Sequence, residues 1–285
     1  PAKGINLLCG ANAQGKTSQQ KADVENFISK KVDGIIIKGG EGGAFIDVSK
    51  KAYEANIPLI GVLMFLPGAV TSVCEDSWEG NANLGVWLVN QMHGSGKYII
   101  LTAAGWHTLE IRERVVEEVL RWYPGIQRIG EPHECATADP VNNARTIVKA
   151  ALRAHPDLKA INCTWSLPAV GAIKAIIEMR KQDQVAVIAT DLDKPLLTSF
   201  GLKKAPAAAA MGIIPDDIGK EVALLMHKAL QYGSVKEAKA NMTTLCTIPP
   251  KMTSNRNPKE CFKVKQIMTM DEAWKAFHEG TKKPW

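Results

Sequence analysis

Several things missing from this chain narrow it before anything present does. Its 285 residues contain no apolar run long enough to span a bilayer. The opening residues, Pro1–Asn6, have neither the basic n-region nor the apolar h-region of a signal peptide, so a leader was either removed or never present. None of the six cysteines, Cys9, Cys74, Cys135, Cys163, Cys246 and Cys261, forms a CxxC pair, which removes zinc-ribbon and thioredoxin-type chemistry. The six histidines, His93, His107, His133, His155, His227 and His278, are dispersed without metal-ligand spacing. No Ser–His–Asp or Cys–His arrangement can be assembled from the loops. Neither a catalytic residue, a metal nor a cofactor is therefore expected. The net charge of +6 comes from scattered pairs (Lys30-Lys31, Lys50-Lys51, Lys203-Lys204, Lys282-Lys283), which read as solvated helix faces and ends rather than a nucleic-acid surface.

What is present is a rhythm. Short apolar runs alternate with amphipathic stretches, separated by turn residues. Ile5–Gly10 reads as a buried strand, Thr17–Val32 as a helix and Gly34–Gly39 as the next strand. The unit recurs at Lys97–Ala103, Ala160–Trp165 and Val185–Asp191. Near-continuous apolar strands joined by crossover helices predict an α/β fold with parallel sheets covered on both faces. Ligands in such folds sit at the carboxyl ends of the strands, so the loops that follow the strands are where function is sought. Cys9, Cys74 and Cys163 fall inside strand-like runs and read as core. Cys246 and Cys261 flank a loop rich in Pro, Asn and Lys, and whether a disulfide closes that loop stays open.

Residues 10–17, GANAQGKT, match the phosphate-binding pattern GxxxxGK(S/T) at every fixed position, and Lys16 and Thr17 would be its phosphate and Mg²⁺ contacts. The context argues against it. After Thr17 the chain stays polar until Val24, as in a surface helix with Thr17 or Ser18 as N-cap, and no convincing partner acid follows.

The segment Gln20–Gly39, with its polar helix, Lys-Lys-Val-Asp-Gly corner and Ile-rich strand, continues into Lys50–Leu63, where Asn-Ile-Pro precedes another strand. Together with Asp76–Gly85, Ala154–Asn162, Ala169–Ala175, Val187–Asp191 and Pro215–Gly219, these pieces resemble in order and spacing the type I periplasmic sugar-binding proteins. That ribose-binding family shares its fold with the effector domains of lac-repressor-type regulators. The resemblance implies two Rossmann-like lobes with three crossings, near residues 76, 213 and 244. Residues 1–76 and 214–243 would form the N-terminal lobe, and residues 77–213 and 244–285 the C-terminal lobe with its tail. The cleft of such a protein closes by a hinge. Family members open with a strand and helix that have no counterpart here, so a unit of roughly 30–40 residues is expected to precede Pro1. In the tail, Asp271–Glu279 reads as an amphipathic helix with Trp274 and Phe277 on a lobe.

The resemblance also assigns ligand positions. Asp191, at the end of its strand, would accept ligand hydroxyls; the alternative is a helix cap for the segment at 194–204. Arg112 would meet vicinal hydroxyls or a carboxylate, with Glu113 and Arg114 solvated beside it. Trp106 and Trp165 follow strands and can stack on a ring; Trp165 stands where sugar binders often carry an amide. His107 and, more weakly, Glu41 of the Gly39–Gly43 loop are the remaining polar candidates. Met64 and Phe65 occupy positions where relatives often have Asp-Arg, and Ile213 one where an amide is common. The ligand is thus expected to be less hydroxylated than a pentopyranose, or to bind by stacking with a few polar anchors. The implied function is extracytoplasmic or periplasmic capture of a sugar or sugar-like molecule by a monomeric binding protein, for delivery to the membrane permease of an ABC transporter. The alternative is the ligand-sensing domain of a lac-repressor-type regulator or receptor.

Overall fold

The apolar runs become strands and the amphipathic stretches become helices in a computed structural model that describes residues 6–8, 10–256 and 269–277. The chain divides into two units, one of residues 1–75, 105–107 and 215–248, the other of residues 76–104, 108–214 and 249–285.

The first unit is built on four strands, β1 (Ile35–Lys38), β2 (Leu59–Val62), β3 (Thr71–Glu75) and β10 (Leu245–Ile248), in the order β1-β2-β3-β10 and all parallel. Its helices are α1 (Thr17–Ser29), α2 (Ile46–Glu54), α8 (Pro215–Gln231) and α9 (Val235–Asn241). Val24, Ile35, Ile37, Phe45, Val48 and Leu59 form one core, and Val70, Ala229, Val235 and Ala238 form another. Because β10 pairs in parallel with β3, the chain leaves this unit after Ile248, a few residues past the expected crossing near 244.

The second unit holds β4 (Gly96–Thr102), β5 (Ile126–Arg128), β6 (His133–Glu134), β7 (Leu158–Cys163), β8 (Ala186–Thr190), β9 (Ala208–Gly212) and β11 (Lys251–Ser254). Their order is β11-β9-β8-β7-β4-β5, with β6 also on β4. All pairs are parallel except β11 on β9. Alternate residues feed opposite cores. Ile99, Leu101, Ile161, Val187 and Ala189 face one, while Tyr98, Ile100, Ala160, Ile188 and Met211 face the other. A sheet buried on both faces needs apolar residues at every position, which is why its strands read as unbroken runs. The covering helices are α3 (Ser77–Met92), α4 (His107–Arg121), α5 (Pro140–Ala154), α6 (Ser166–Glu178) and α7 (Lys194–Phe200), with α10 (Met270–Phe277) in the tail. As expected, Trp274 of α10 is buried, at 2% exposure, in the core beneath α6 and α7. Glu279 lies outside the described residues.

Two expectations need correction. Residues 6–8 and 10 form no strand, and Leu7 and Leu8 are 88% and 70% exposed; Ile5 and Cys9 lie outside the described residues. A strand exists only against a neighbour, and among the described residues β1 pairs with β2 alone. The second concerns α1. Its N-cap is Lys16, not Thr17 or Ser18, and no side chain caps it. A backbone turn does the work, with Lys16 N–H donating to the Ala13 carbonyl. Side-chain caps do open α3, α5, α7 and α9, from Asp76, Asp139, Asp193 and Ser234.

Cys74, Cys135, Cys163 and Cys246 are free thiols, and Cys261 lies outside the described residues. Burial pushes the Cys74 and Cys135 thiols up to about 12, and that of Cys163 well above its usual value. Such groups are inert as nucleophiles.

Candidate functional site

In the second unit the candidate residues gather at the carboxyl ends of β4, β7 and β8. Asp191 is the first residue past β8, held at φ +75°. A non-glycine residue in that region carries strain that the surroundings must hold in place. Gly212, at the end of the neighbouring strand, makes the room: a Cβ there would come within 2.7 Å of the Leu192 nitrogen. The cap for α7 is supplied two residues later, by Asp193, whose carboxylate accepts the Leu196 N–H and the Ser166 hydroxyl. Asp191 is thereby released from the capping role.

Its carboxylate instead meets Arg112. Arg112 projects from α4 and is 5% exposed. Its Nη2 donates to Asp191 Oδ1 at 3.1 Å and its Nη1 to the Thr164 carbonyl at 2.9 Å. A guanidinium so buried requires such partners, and together they fix its plane. The Asp191 side chain remains 42% exposed, so one end of the pair is fixed in the protein and the other meets solvent. The floor is also tied down. Thr164 donates to Thr102, and Thr190 to Asn81. Trp165, half-buried, is the residue preceding α6, and Ile213 follows β9, also half-buried.

Glu113 departs from expectation. Arg114 is solvated, with its side chain 78% exposed, but Glu113 is half-buried. Burial raises its carboxyl above the ordinary range, a hydrogen bond with Thr102 opposes that rise, and the charge of Glu117 adds to it.

In the first unit the candidates gather past β1 and β2, where Gly105–His107 groups with them. Gly39 and Gly40 turn the chain at φ +71° and +99°. At Gly42 a Cβ would lie 1.5 Å from the Phe65 carbonyl oxygen, so only glycine fits. The Gly39–Gly43 stretch thus serves the strand-to-helix turn, as read from the sequence. Trp106, 40% exposed, lies across two of these turns. A Cβ on Gly39 would touch its ring at 3.5 Å and one on Gly15 at 3.9 Å. The rings of His107 and Phe65 meet edge to face, centroids 5.0 Å apart at 77°. Glu41 is exposed. Met64 is fully buried in the core, its carbonyl accepting from Cys74 Sγ at 3.6 Å.

The GANAQGKT stretch does not form a phosphate cradle. Its Gln14 N–H donates to the Asn12 side chain and its Lys16 N–H to the Ala13 carbonyl. Two donors that would face a phosphate are therefore engaged within the loop, and no strand precedes it among the described residues. Nor do the described residues contain a cluster of three His, Cys, Asp or Glu side chains suited to a metal ion, or a helix long and apolar enough to cross a membrane.

Sequence reasoning missed three supports. Asp193 was signalled by its place before Lys-Pro, the pattern of a cap with proline in the first turn. Glu134, whose carboxylate accepts the Ala104 and Ala136 N–H groups and so fixes the loop leading to Trp106, had no local signal. Nor had Gln20, which donates to the Lys38 carbonyl at the end of β1.

Two α/β units built on largely parallel sheets, each with polar or aromatic residues at its strand ends, have the architecture in which ligands sit at the carboxyl ends of strands. Comparison with known proteins makes this specific. The periplasmic binding protein domain family matches residues 1–234, and the chain belongs to that family. Relatives include the ABC transporter periplasmic-binding protein YphF of Escherichia coli, 24% identical over 65% of this chain and 59% of its own length. The ribose import binding protein RbsB of Bacillus subtilis is 23% identical over 76% of this chain and 69% of its own. The chain thus spans well short of the full length of either. Among solved structures, a 5-methylthioribose transporter solute-binding protein from Thermotoga lettingae superposes with TM-score 0.75 at 21% identity, covering 96% of this chain and 83% of its own. An ABC sugar transporter subunit from Rhodobacter sphaeroides has TM-score 0.75 at 21% identity, covering 85% and 84%. These likenesses establish the type I fold read from the sequence.

Proposed function

We propose that this protein is a non-enzymatic, extracytoplasmic solute-binding protein that captures one sugar or sugar-like molecule as a monomer and presents it to the permease of an ABC transporter. The observation that carries the reading is the Arg112–Asp191 pair at the carboxyl end of β8. A guanidinium held by two protein acceptors keeps a part-exposed carboxylate in one orientation, and a carboxylate is the strongest neutral-hydroxyl acceptor a protein can offer. In this reading Trp165, half-buried before α6, offers a ring face, and Trp106, Phe65, His107, Glu41 and Ile213 are further candidates, whereas Met64, fully buried in the core, offers no exposed surface to a ligand. The named specificities of relatives agree in class: one is called a ribose import protein, and a solved neighbour holds 5-methylthioribose.

A thermal-shift screen tests this. The panel holds monosaccharides, deoxy sugars, polyols, nucleosides, aromatic acids and Mg²⁺-ATP. Mass action raises the melting temperature for any compound that binds the folded state. A shift with a sugar-class compound is expected. A shift with Mg²⁺-ATP alone, lost in Lys16→Ala, would overturn the reading in favour of the phosphate-binding motif.

A further inference from the structure

The first unit holds a cavity of about 520 Å³ at the amino ends of β1 and β2, the opposite ends from the candidate group described above. Every residue that lines it belongs to this unit. Its floor is apolar, made by Ile28, Val32, Ile57, Ala229 and Val235, of which the last three are buried. The size is that of a small-molecule site. Backbone donors of the two turns are spent on their own helices. The Lys31 and Val32 N–H groups donate to the Ile28 and Phe27 carbonyls, and those of Asn56 and Ile57 to the Tyr53 and Ala52 carbonyls. Recognition therefore falls to side chains, and the lining carries one cation, Lys31, and one anion, Asp33. Among the described residues no ion pair engages either of them. Lys31 closes α1 at φ +52°, a conformation that glycine or asparagine usually supplies at a helix end, so backbone preference does not account for a lysine there. Asn56 closes α2 in the same way, at φ +57°. Its Oδ1 accepts the Val235 N–H at 2.8 Å, which leaves its NH₂ to donate. Ser234 Oγ accepts the Glu237 N–H at 3.2 Å, which leaves its hydroxyl hydrogen to donate. The carboxyl ends of α1, α2 and α8 meet here, and their partial negative charge adds to that of Asp33.

We propose that this cavity is a second binding site, for a free α-amino acid with an apolar side chain. The ammonium group meets Asp33 and the helix carboxyl ends, the carboxylate meets Lys31, Asn56 and Ser234, and the side chain lies on the apolar floor. A neutral sugar would leave both charges unused, and a purely apolar molecule would desolvate them without partners. The site lies within one unit and does not rest on the sugar-binding reading.

The test is calorimetric titration of the full chain with four probes. These are L-leucine, N-acetyl-L-leucine without the ammonium charge, L-leucinamide without the carboxylate, and glycine without the apolar side chain. L-leucine is expected to bind, and each of the other three about tenfold more weakly or worse, the scale of one hydrogen bond to a charged group. Lys31→Gln and Asp33→Asn, both at exposed positions, should each weaken L-leucine by about tenfold. The effect of Lys31→Gln should vanish with L-leucinamide, which has no carboxylate to lose. Melting curves confirm that each variant is folded. Absence of L-leucine binding would overturn the inference, as would equal affinity for the derivatives. Unchanged affinity in either variant would place the amino acid elsewhere and overturn it too. Each of these results leaves the sugar-binding reading standing, because that reading concerns the opposite strand ends.

Discussion

Asp191 shows what a single residue owes to its surroundings. From the sequence, Asp191 could serve either as a ligand contact or as the cap of the helix that follows. The structure separates them: Asp193 accepts the Leu196 N–H, and Asp191 pairs with Arg112 across 79 positions of chain. Such long-range partners leave no trace in local spacing, which is why the ligand role could be reached only through a family resemblance. Replacing Asp191 by Ala removes a charged hydrogen-bond acceptor, for which about 1.5–3 kcal/mol, or roughly tenfold to a hundredfold in affinity, is expected. Calorimetry finding wild-type affinity in Asp191→Ala would take this residue out of the site. Lys16→Ala, in contrast, should leave affinity for the sugar ligand unchanged. Glu113 makes a prediction about pH. Its carboxyl is raised by burial, so the protonated form is favoured in the folded state. The stability it contributes is full below the ordinary glutamate range and is lost as pH rises through the raised folded value. Glu113→Gln should therefore melt higher than wild type at neutral pH and alike at pH near 4. A difference that grows on acidification would contradict this assignment.

At the level of elements, the strands of the second unit were legible because both faces are covered, so β4, β7 and β8 read as apolar runs. The helices with aspartate or serine caps were legible for equally local reasons. Elements that depend on a distant partner were not. Ile5–Gly10 has the composition of a strand, but its described residues, 6–8 and 10, join no ladder among the described residues. The two-residue β6 and the antiparallel β11 exist only because β4 and β9 present free edges to them. The strand-to-helix turn past β1 was legible in its glycines, though not in the contact that requires them. Gly42→Ala would drive a Cβ into the Phe65 carbonyl, a backbone overlap expected to cost about 3 kcal/mol or more. Because Phe65 must shift to relieve it, ligand affinity should fall as well as the melting temperature. The tail helix α10 is held through Trp274. Trp274→Ala empties a core position and should destabilise the second unit by about 3–5 kcal/mol; denaturant unfolding with a wild-type midpoint would mean that α10 is not part of that core.

Over the whole molecule, the rhythm of apolar runs and helices carried the fold class. Largely parallel sheets followed from the alternation of runs and helices, and the division into two units, each with an apolar core of its own, from the family resemblance. The chain passes back from the first unit after Ile248, a few residues beyond the expected crossing near 244, because β10 belongs to the β3 edge, a pairing between strands far apart in the chain. Family membership, the type I fold and the strand-end residues support the proposal of reversible capture of a small sugar-like ligand. The central claim is tested most directly by calorimetric titration of the full chain with the ligand that the thermal-shift screen identifies, performed on the wild type, Asp191→Ala and Lys16→Ala side by side. The account predicts saturable binding of a sugar-class compound at one site per chain, weakened in Asp191→Ala and unchanged in Lys16→Ala. Binding that survives Asp191→Ala but is lost in Lys16→Ala would contradict it, and would return the GANAQGKT loop to the centre of this protein's function.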